Sequence, residues 1–209
     1  MNIIAVSQSY LQRVRKTSFL SKDELQEMYS ISKMKQMEWL LGRFALKYSY
    51  NHSRLDKTSI SYNSLGQPVM LDNPGMKCSI SHSNTIGVGV VAEFQVGIDI
   101  EKIRSHNDEL LEYISSKEER RIMQQSDPST LVTSIWVLKE AVAKAVGYGI
   151  DYDVSDIMIA NKESEVYTIY MEANKWKGLL YAFEQYLIAF VVPERMVNSL
   201  INTNPIYLQ

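Results

Sequence analysis

Ile80-Ser81-His82-Ser83-Asn84-Thr85-Ile86-Gly87-Val88-Gly89-Val90-Val91-Ala92-Glu93-Phe94-Gln95-Val96-Gly97-Ile98-Asp99-Ile100-Glu101-Lys102-Ile103 is the stretch on which the reading of this chain turns. Two apolar runs of strand length are joined by a short polar turn, and two acids occupy alternate positions near the end. Successive side chains of a strand point to opposite faces, so Asp99 and Glu101 share one face while Ile98 and Ile100 share the other. If the isoleucines face a core, the acids face outward as a like-charged pair, which repels unless a proton or a cation resolves it. A hard divalent metal suits such oxygen ligands.

Working outward, residues 96–101 close a first antiparallel sheet that also takes strands at 58–62, 69–71, 78–81 and 86–92, with Ser81-His82-Ser83 in a turn between two of them. Upstream, the N-terminal stretch Met1 to Gln8 reads as a first strand, and Ser21 with Glu24 has capping-box spacing. Leu25, Met28, Ile31, Met34, Met37, Leu41 and Phe44 then keep helical spacing to about Tyr50, as one long helix or two short ones. Downstream, the pattern turns helical from Asn107, breaks at Asp127-Pro128, and resumes over 130–146 before Gly147. Strand-like stretches at 154–159, 166–170, 179–183 and 186–192 predict a second antiparallel sheet, and the tail after Pro193 reads as irregular. Trp39-Leu40-Leu41 with Lys47 is echoed by Trp136-Val137-Leu138 with Lys144 at the same separation. The expected fold class is therefore α+β, in two similar halves at 1–104 and 105–209, each with an antiparallel sheet and a long helix.

With 209 residues, 45% of them hydrophobic, the chain can bury one large core or two modest ones. A net charge of −2 gives no general grip on nucleic acid or anionic lipid, so neither is expected as a partner. Cys78 is the single cysteine, which excludes an intramolecular disulfide and favours a reduced compartment. The N-terminus has no basic flank before an apolar stretch, and the apolar segment 178–193 is short and interrupted by Glu184 and Gln185. A soluble, cytoplasmic protein is expected.

On the helix over 130–146, Trp136, Glu140 and Lys144 stand four residues apart and share a face. An exposed Glu-to-Lys pair at this spacing is commonly a solvated helix face, but a tryptophan on the same side points to packing. A carboxylate beside a buried ring needs a partner. His82, flanked by two hydroxyls, offers donors to a phosphate. No nucleophile elbow, phosphate loop or dinucleotide glycine pattern is present, and one cysteine with three scattered histidines does not make a zinc site.

Gly66-Gln67-Pro68, Ile80-Ser81-His82-Ser83, Val96-Gly97-Ile98-Asp99-Ile100-Glu101 and Trp136-Val137-Leu138-Lys139-Glu140-Ala141 with Lys144 together resemble the ordered motifs of the 4'-phosphopantetheinyl transferases, in their long, monomeric, surfactin-synthetase-activator form. The resemblance spans about residues 40 to 150. It implies two α+β halves related by a pseudo-twofold, with coenzyme A and magnesium in the cleft between them. It further implies transfer of the phosphopantetheine arm of coenzyme A to a serine hydroxyl of an apo acyl or peptidyl carrier protein, releasing adenosine 3',5'-bisphosphate.

By the same resemblance Asp99, Glu101 and Glu140 are the metal ligands, Ser81 and His82 meet the nucleotide phosphates, and Lys144 meets the pyrophosphate. Glu140, Lys144 and Glu119, which falls near a further family acid, are the implied catalytic residues, and the carrier serine loses its proton to Glu140 or to a metal-bound water. The family's glycine-proline turn often carries lysine where this chain has Gln67, which leaves Lys33, Lys35, Arg43 or Lys47 to take up a nucleotide phosphate. Residues 114–123 are the expected carrier contact. The competing readings are a non-catalytic module that binds coenzyme A or a carrier protein, which would not need all three acids, and another magnesium-dependent phosphate enzyme, for which the histidine turn has no use.

Overall fold

The computed structural model describes residues 1–14, 17–51, 55, 58–147 and 152–209. The chain divides into two compact units, Met1–Val96 with Thr203–Gln209, and Gly97–Asn202. The expected division lay at 104/105; the strand carrying Asp99 groups instead with the second unit and the C-terminal residues with the first.

The first unit begins with β1 (Ile3–Ser7) and α1 (Gln8–Arg13), followed by α2 (Lys22–Ser30) and α3 (Lys33–Asn51). Two helices thus fill the long helical stretch. Ser21 caps α2 in the box read from the sequence, its hydroxyl accepting from Glu24 N–H while Glu24 accepts from Ser21 N–H at 2.8 Å. A short hairpin of β2 (Ile60–Tyr62) and β3 (Pro68–Met70) precedes β4 (Lys77–Ser83) and β5 (Ile86–Ala92).

Helix α3 lies on β4 and β5, and the closeness explains two glycines. A Cβ at Gly87 would stand 2.5 Å from the Leu41 backbone, and one at Gly89 would strike the backbone of Leu46. Ser81 and His82 belong to β4, paired with Val88 and Gly87, and the turn is moved on to Asn84-Thr85. Polar side chains hide a strand end when only apolar alternation is counted.

The second unit opens with β6 (Gly97–Lys102), continues through α4 (Asp108–Ile114), α5 (Lys117–Met123) and α6 (Pro128–Val146), and adds β7 (Ile157–Glu163), β8 (Val166–Met171), β9 (Asn174–Phe183) and β10 (Tyr186–Pro193). Its sheet runs β6-β10-β9-β8-β7, antiparallel throughout. The expectation that residues 96–101 close the first sheet is therefore corrected: Asp99 pairs with Ala189 and Glu101 with Leu187 of β10.

Asp127 caps α6 by accepting from Thr130 N–H at 2.7 Å, Pro128 occupies its first turn, and Gly147 ends it at φ +94°. Val137, Leu138, Ala141 and Val142 of α6 enter a core with Ile169, Ala189 and Val191. Ile114 and Met123 are buried in or beside that core and so are not a surface for a carrier.

The tail is not irregular. A 3-10 turn and α7 (Val197–Ile201) lead to β11 (Pro205–Leu208), which pairs in parallel with β1 of the first unit. Among the described residues no helix is long and apolar enough to cross a membrane.

One device recurs in the two units. In the first, the buried Glu24 caps its own helix and also receives Arg43 and Lys47 of α3, at 3.0 and 2.5 Å, and the Ile60 N–H. In the second, Glu119 caps α5 through Ser116 and receives Lys139 of α6 at 2.9 Å and the Ile159 N–H at 3.0 Å. A capping-box acid thus ties a short helix, the long helix and a strand together in each half.

Candidate active site

The acids of β6 turn toward α6. A Cβ at Gly97 would fall inside the Ala141 carbonyl oxygen, so Gly97, Asp99 and Glu101 face the helix, while Ile98 and Ile100 are fully buried on the other side. Of the expected outward pair Asp99 is instead drawn in, only 3% exposed, while Glu101 is half-buried. A buried carboxylate needs a counter-charge, and Lys144 Nζ supplies it at 2.6 Å from Asp99 Oδ1.

Glu140, one turn before Lys144 on α6, accepts from the Tyr152 hydroxyl at 2.6 Å. Burial raises the Glu140 carboxyl above the ordinary glutamate range; the tyrosine bond opposes this, the charge of Asp99 adds to it and Lys144 offsets it. Asp99, Glu140, Lys144 and Tyr152 therefore sense one another as a single cluster. Tyr152 was not legible in the sequence: it lies beyond the helix cap, outside any helical spacing with Glu140.

Glu119 is engaged elsewhere. Its two oxygens are taken by Ser116 N–H, Ile159 N–H and Lys139, and none of these partners belongs to the Asp99 cluster. Burial pushes its carboxyl up, but the two N–H donors and the ammonium outweigh that and hold it below the ordinary value. Arg43, expected at the nucleotide, is likewise committed: it is 1% exposed, bonded to Glu24, Glu27 and the Ile60 carbonyl, with its guanidinium 4.1 Å from the Trp39 ring centroid. Lys47 is fully buried against Glu24 and the Phe19 carbonyl. Lys33 and Lys35 are exposed at the start of α3.

His82 and Ser81, adjacent on β4, leave from opposite faces. Ser81 is 7% exposed, and His82 is open with Nδ1 3.8 Å from Glu38 Oε2. Their side chains therefore do not share one face of the sheet.

In the second unit a cavity of about 220 Å³ adjoins Glu101, lined also by Arg104, His106, Leu110, Val132 and Trp136. Burial, helped by Arg104, lowers the His106 pKa and favours its neutral form. Among the described residues no three His, Cys, Asp or Glu side chains stand ready around one metal position. The donor types of Asp99, Glu101 and Glu140 nevertheless suit a hard divalent cation, and the ammonium on Asp99 marks a place where positive charge is required.

A family model described as the 4'-phosphopantetheinyl transferase superfamily matches residues 95–191. A curated relative, 4'-phosphopantetheinyl transferase psf-1 of Bacillus pumilus, is 33% identical over 93 residues, which cover 43% of this chain. The match spans 40% of that relative's length. The crystal structure of Helicobacter pylori holo-[acyl-carrier-protein] synthase (AcpS) in complex with coenzyme A is 24% identical and covers 47% of this chain and 99% of that chain, at a TM-score of 0.41. The family match runs from just before β6 into β10, so Asp99, Glu101, Glu140 and Lys144 all fall inside it. The likeness to the 4'-phosphopantetheinyl transferase superfamily thus lies in the second unit, over the segment that carries β6 and α6.

Proposed function

We propose that the protein is a monomeric, cytoplasmic 4'-phosphopantetheinyl transferase of the long type, which moves the phosphopantetheine arm of coenzyme A to a serine hydroxyl of an apo acyl or peptidyl carrier protein. The observation that carries this reading is the Asp99–Lys144 pair beside Glu140, where α6 crosses β6 inside the segment that matches the superfamily. The serine oxygen attacks the β-phosphorus, the bond to the bridging oxygen breaks, and adenosine 3',5'-bisphosphate leaves with the electron pair. Lys144 stabilises the charge that grows on the leaving group. Glu140, with a carboxyl raised by burial, accepts the serine proton.

Asp99, Glu101 and Glu140 would hold magnesium, which supplies charge neutralisation on the pyrophosphate. Lys35 and His82 are the groups of the first unit proposed to meet the nucleotide phosphates. Ser81 joins them only where a phosphate reaches the covered face of β4, and Arg43 is left to its ion pairs. The deciding experiment incubates the protein with coenzyme A, magnesium and several apo carriers and weighs each carrier by mass spectrometry. The expected result is one added phosphopantetheine per carrier, abolished in Glu140→Gln with the fold intact. No mass gain on any carrier overturns the reading and leaves a binding module.

A further inference from the structure

Residues 152–154 form a strap across α6. Lys139 and Glu140, neighbours on the helix, both reach it: Lys139 Nζ donates to the Val154 carbonyl at 3.3 Å, and Glu140 Oε1 accepts from the Tyr152 hydroxyl at 2.6 Å. The strap is held from three sides. Val154 is 5% exposed in the core, Asp153 caps the 3-10 turn through Ser155 N–H at 2.9 Å, and the Tyr152 ring packs on the same core as α6. Lys139 is in turn fixed by Glu119 at 2.9 Å. The tyrosine hydroxyl is therefore placed by packing, not by its own flexible chain, and the carboxylate it touches is the one that feels the charges of both Asp99 and Lys144.

We infer that Tyr152 is a positioning residue for Glu140: its hydroxyl holds Oε1 and so fixes the plane and rotamer of the carboxylate, leaving Oε2 to serve the cation and the serine proton. This rests on the transferase reading for its chemistry, though the contact itself does not. A carboxylate on a glutamate has three rotatable bonds, and one short hydrogen bond from a packed ring removes most of that freedom. Oriented ligands of this kind typically gain 10- to 100-fold in metal affinity or turnover from the group that holds them.

The test is Tyr152→Phe, which keeps the ring and removes the hydroxyl. Manganese binding is measured by electron paramagnetic resonance on the protein alone, alongside kcat, the KM for coenzyme A and the thermal unfolding midpoint. The expected result is a Kd for manganese weakened about tenfold and a kcat lowered about 10- to 100-fold, with KM within about threefold and the midpoint unmoved. An unchanged Kd with an unchanged kcat overturns the inference. A fall in midpoint that accounts for the lost activity also overturns it, because the hydroxyl would then serve stability. If the wild-type protein binds manganese but modifies no carrier, the transferase reading fails while the ratio of the two manganese constants still decides the role of Tyr152.

Discussion

Glu119→Gln separates a structural acid from a catalytic one. The variant leaves the Lys139 ammonium, whose side chain is 2% exposed, buried without its counter-charge, and asks one amide to serve donors that met two carboxylate oxygens. Breaking one side of a buried pair costs about 3–5 kcal/mol. For a chain of this size that is a fall in unfolding midpoint of roughly 6–20 °C.

The sign with pH follows from the same contacts. Glu119 is held below its ordinary value when folded, so its stabilisation is present above the usual glutamate pKa and is lost as pH falls through the lower folded value. The acid limb of the wild-type stability curve should therefore be steeper than that of Glu119→Gln. Adding Lys139→Met removes the stranded charge, and the double variant should recover part of the loss, with a coupling of about 0.5–3 kcal/mol. Thermal and urea unfolding by circular dichroism measure these terms, and carrier modification below both midpoints gives turnover per folded molecule. Turnover down about 100-fold or more at an unchanged midpoint, with no rescue by Lys139→Met, would refute the structural account and return Glu119 to the chemistry.

Three further outcomes follow from contacts in the two units. Gly97→Ala drives a methyl group into the Ala141 backbone, so it should cost about 3 kcal/mol or more by thermal unfolding, while Gly75→Ala, whose Cβ meets only Asn73 Oδ1 at 3.6 Å, should leave the midpoint in place. Burial pushes the Cys78 thiol up to about 12. At pH 8 about one molecule in 10⁴ is then thiolate, against roughly a quarter for an ordinary cysteine, so a disulfide reagent should label the unfolded chain some thousandfold faster than the native one. Arg43→Met should lower stability by about 3–5 kcal/mol with the KM for coenzyme A per folded molecule unchanged, whereas Lys35→Ala should raise that KM at constant stability; the reverse pattern would place Arg43 at the nucleotide.

What could be read without coordinates was local. Ser21 with Glu24 and Gly147 marked helix ends because caps act within one turn, whereas Asp127-Pro128 read as a break and the helix it caps as starting two residues late. Alternation put Asp99 and Glu101 on one face and the isoleucines on the other. It could not say which strand β6 pairs with, since pairing depends on a partner far along the chain and carries no local mark. For the same reason β11, a short strand added to β1, reads as an irregular tail. The direction of the acids escaped too: where both faces of a strand are covered, polarity no longer marks the outside, and the counter-ion on α6 is what makes burial of Asp99 tolerable.

The echo between Trp39 and Trp136 acquires a meaning once the partners are known. Arg43 and Lys47 stand four and eight residues after the first tryptophan, as Glu140 and Lys144 do after the second, yet the first pair turns inward to Glu24. In the second unit the inward task falls to Lys139, one residue earlier and so about 100° around the helix. That shift releases positions 140 and 144 to face Asp99 and Tyr152. The first unit cannot make the same exchange. The residue that corresponds to Lys139 is Gly42, where a Cβ would stand 2.5 Å from the Ile80 side chain. With no room for a lysine at 42, Arg43 and Lys47 must satisfy Glu24 themselves, and the long helix of the first unit has no cation at these positions left over for a phosphate.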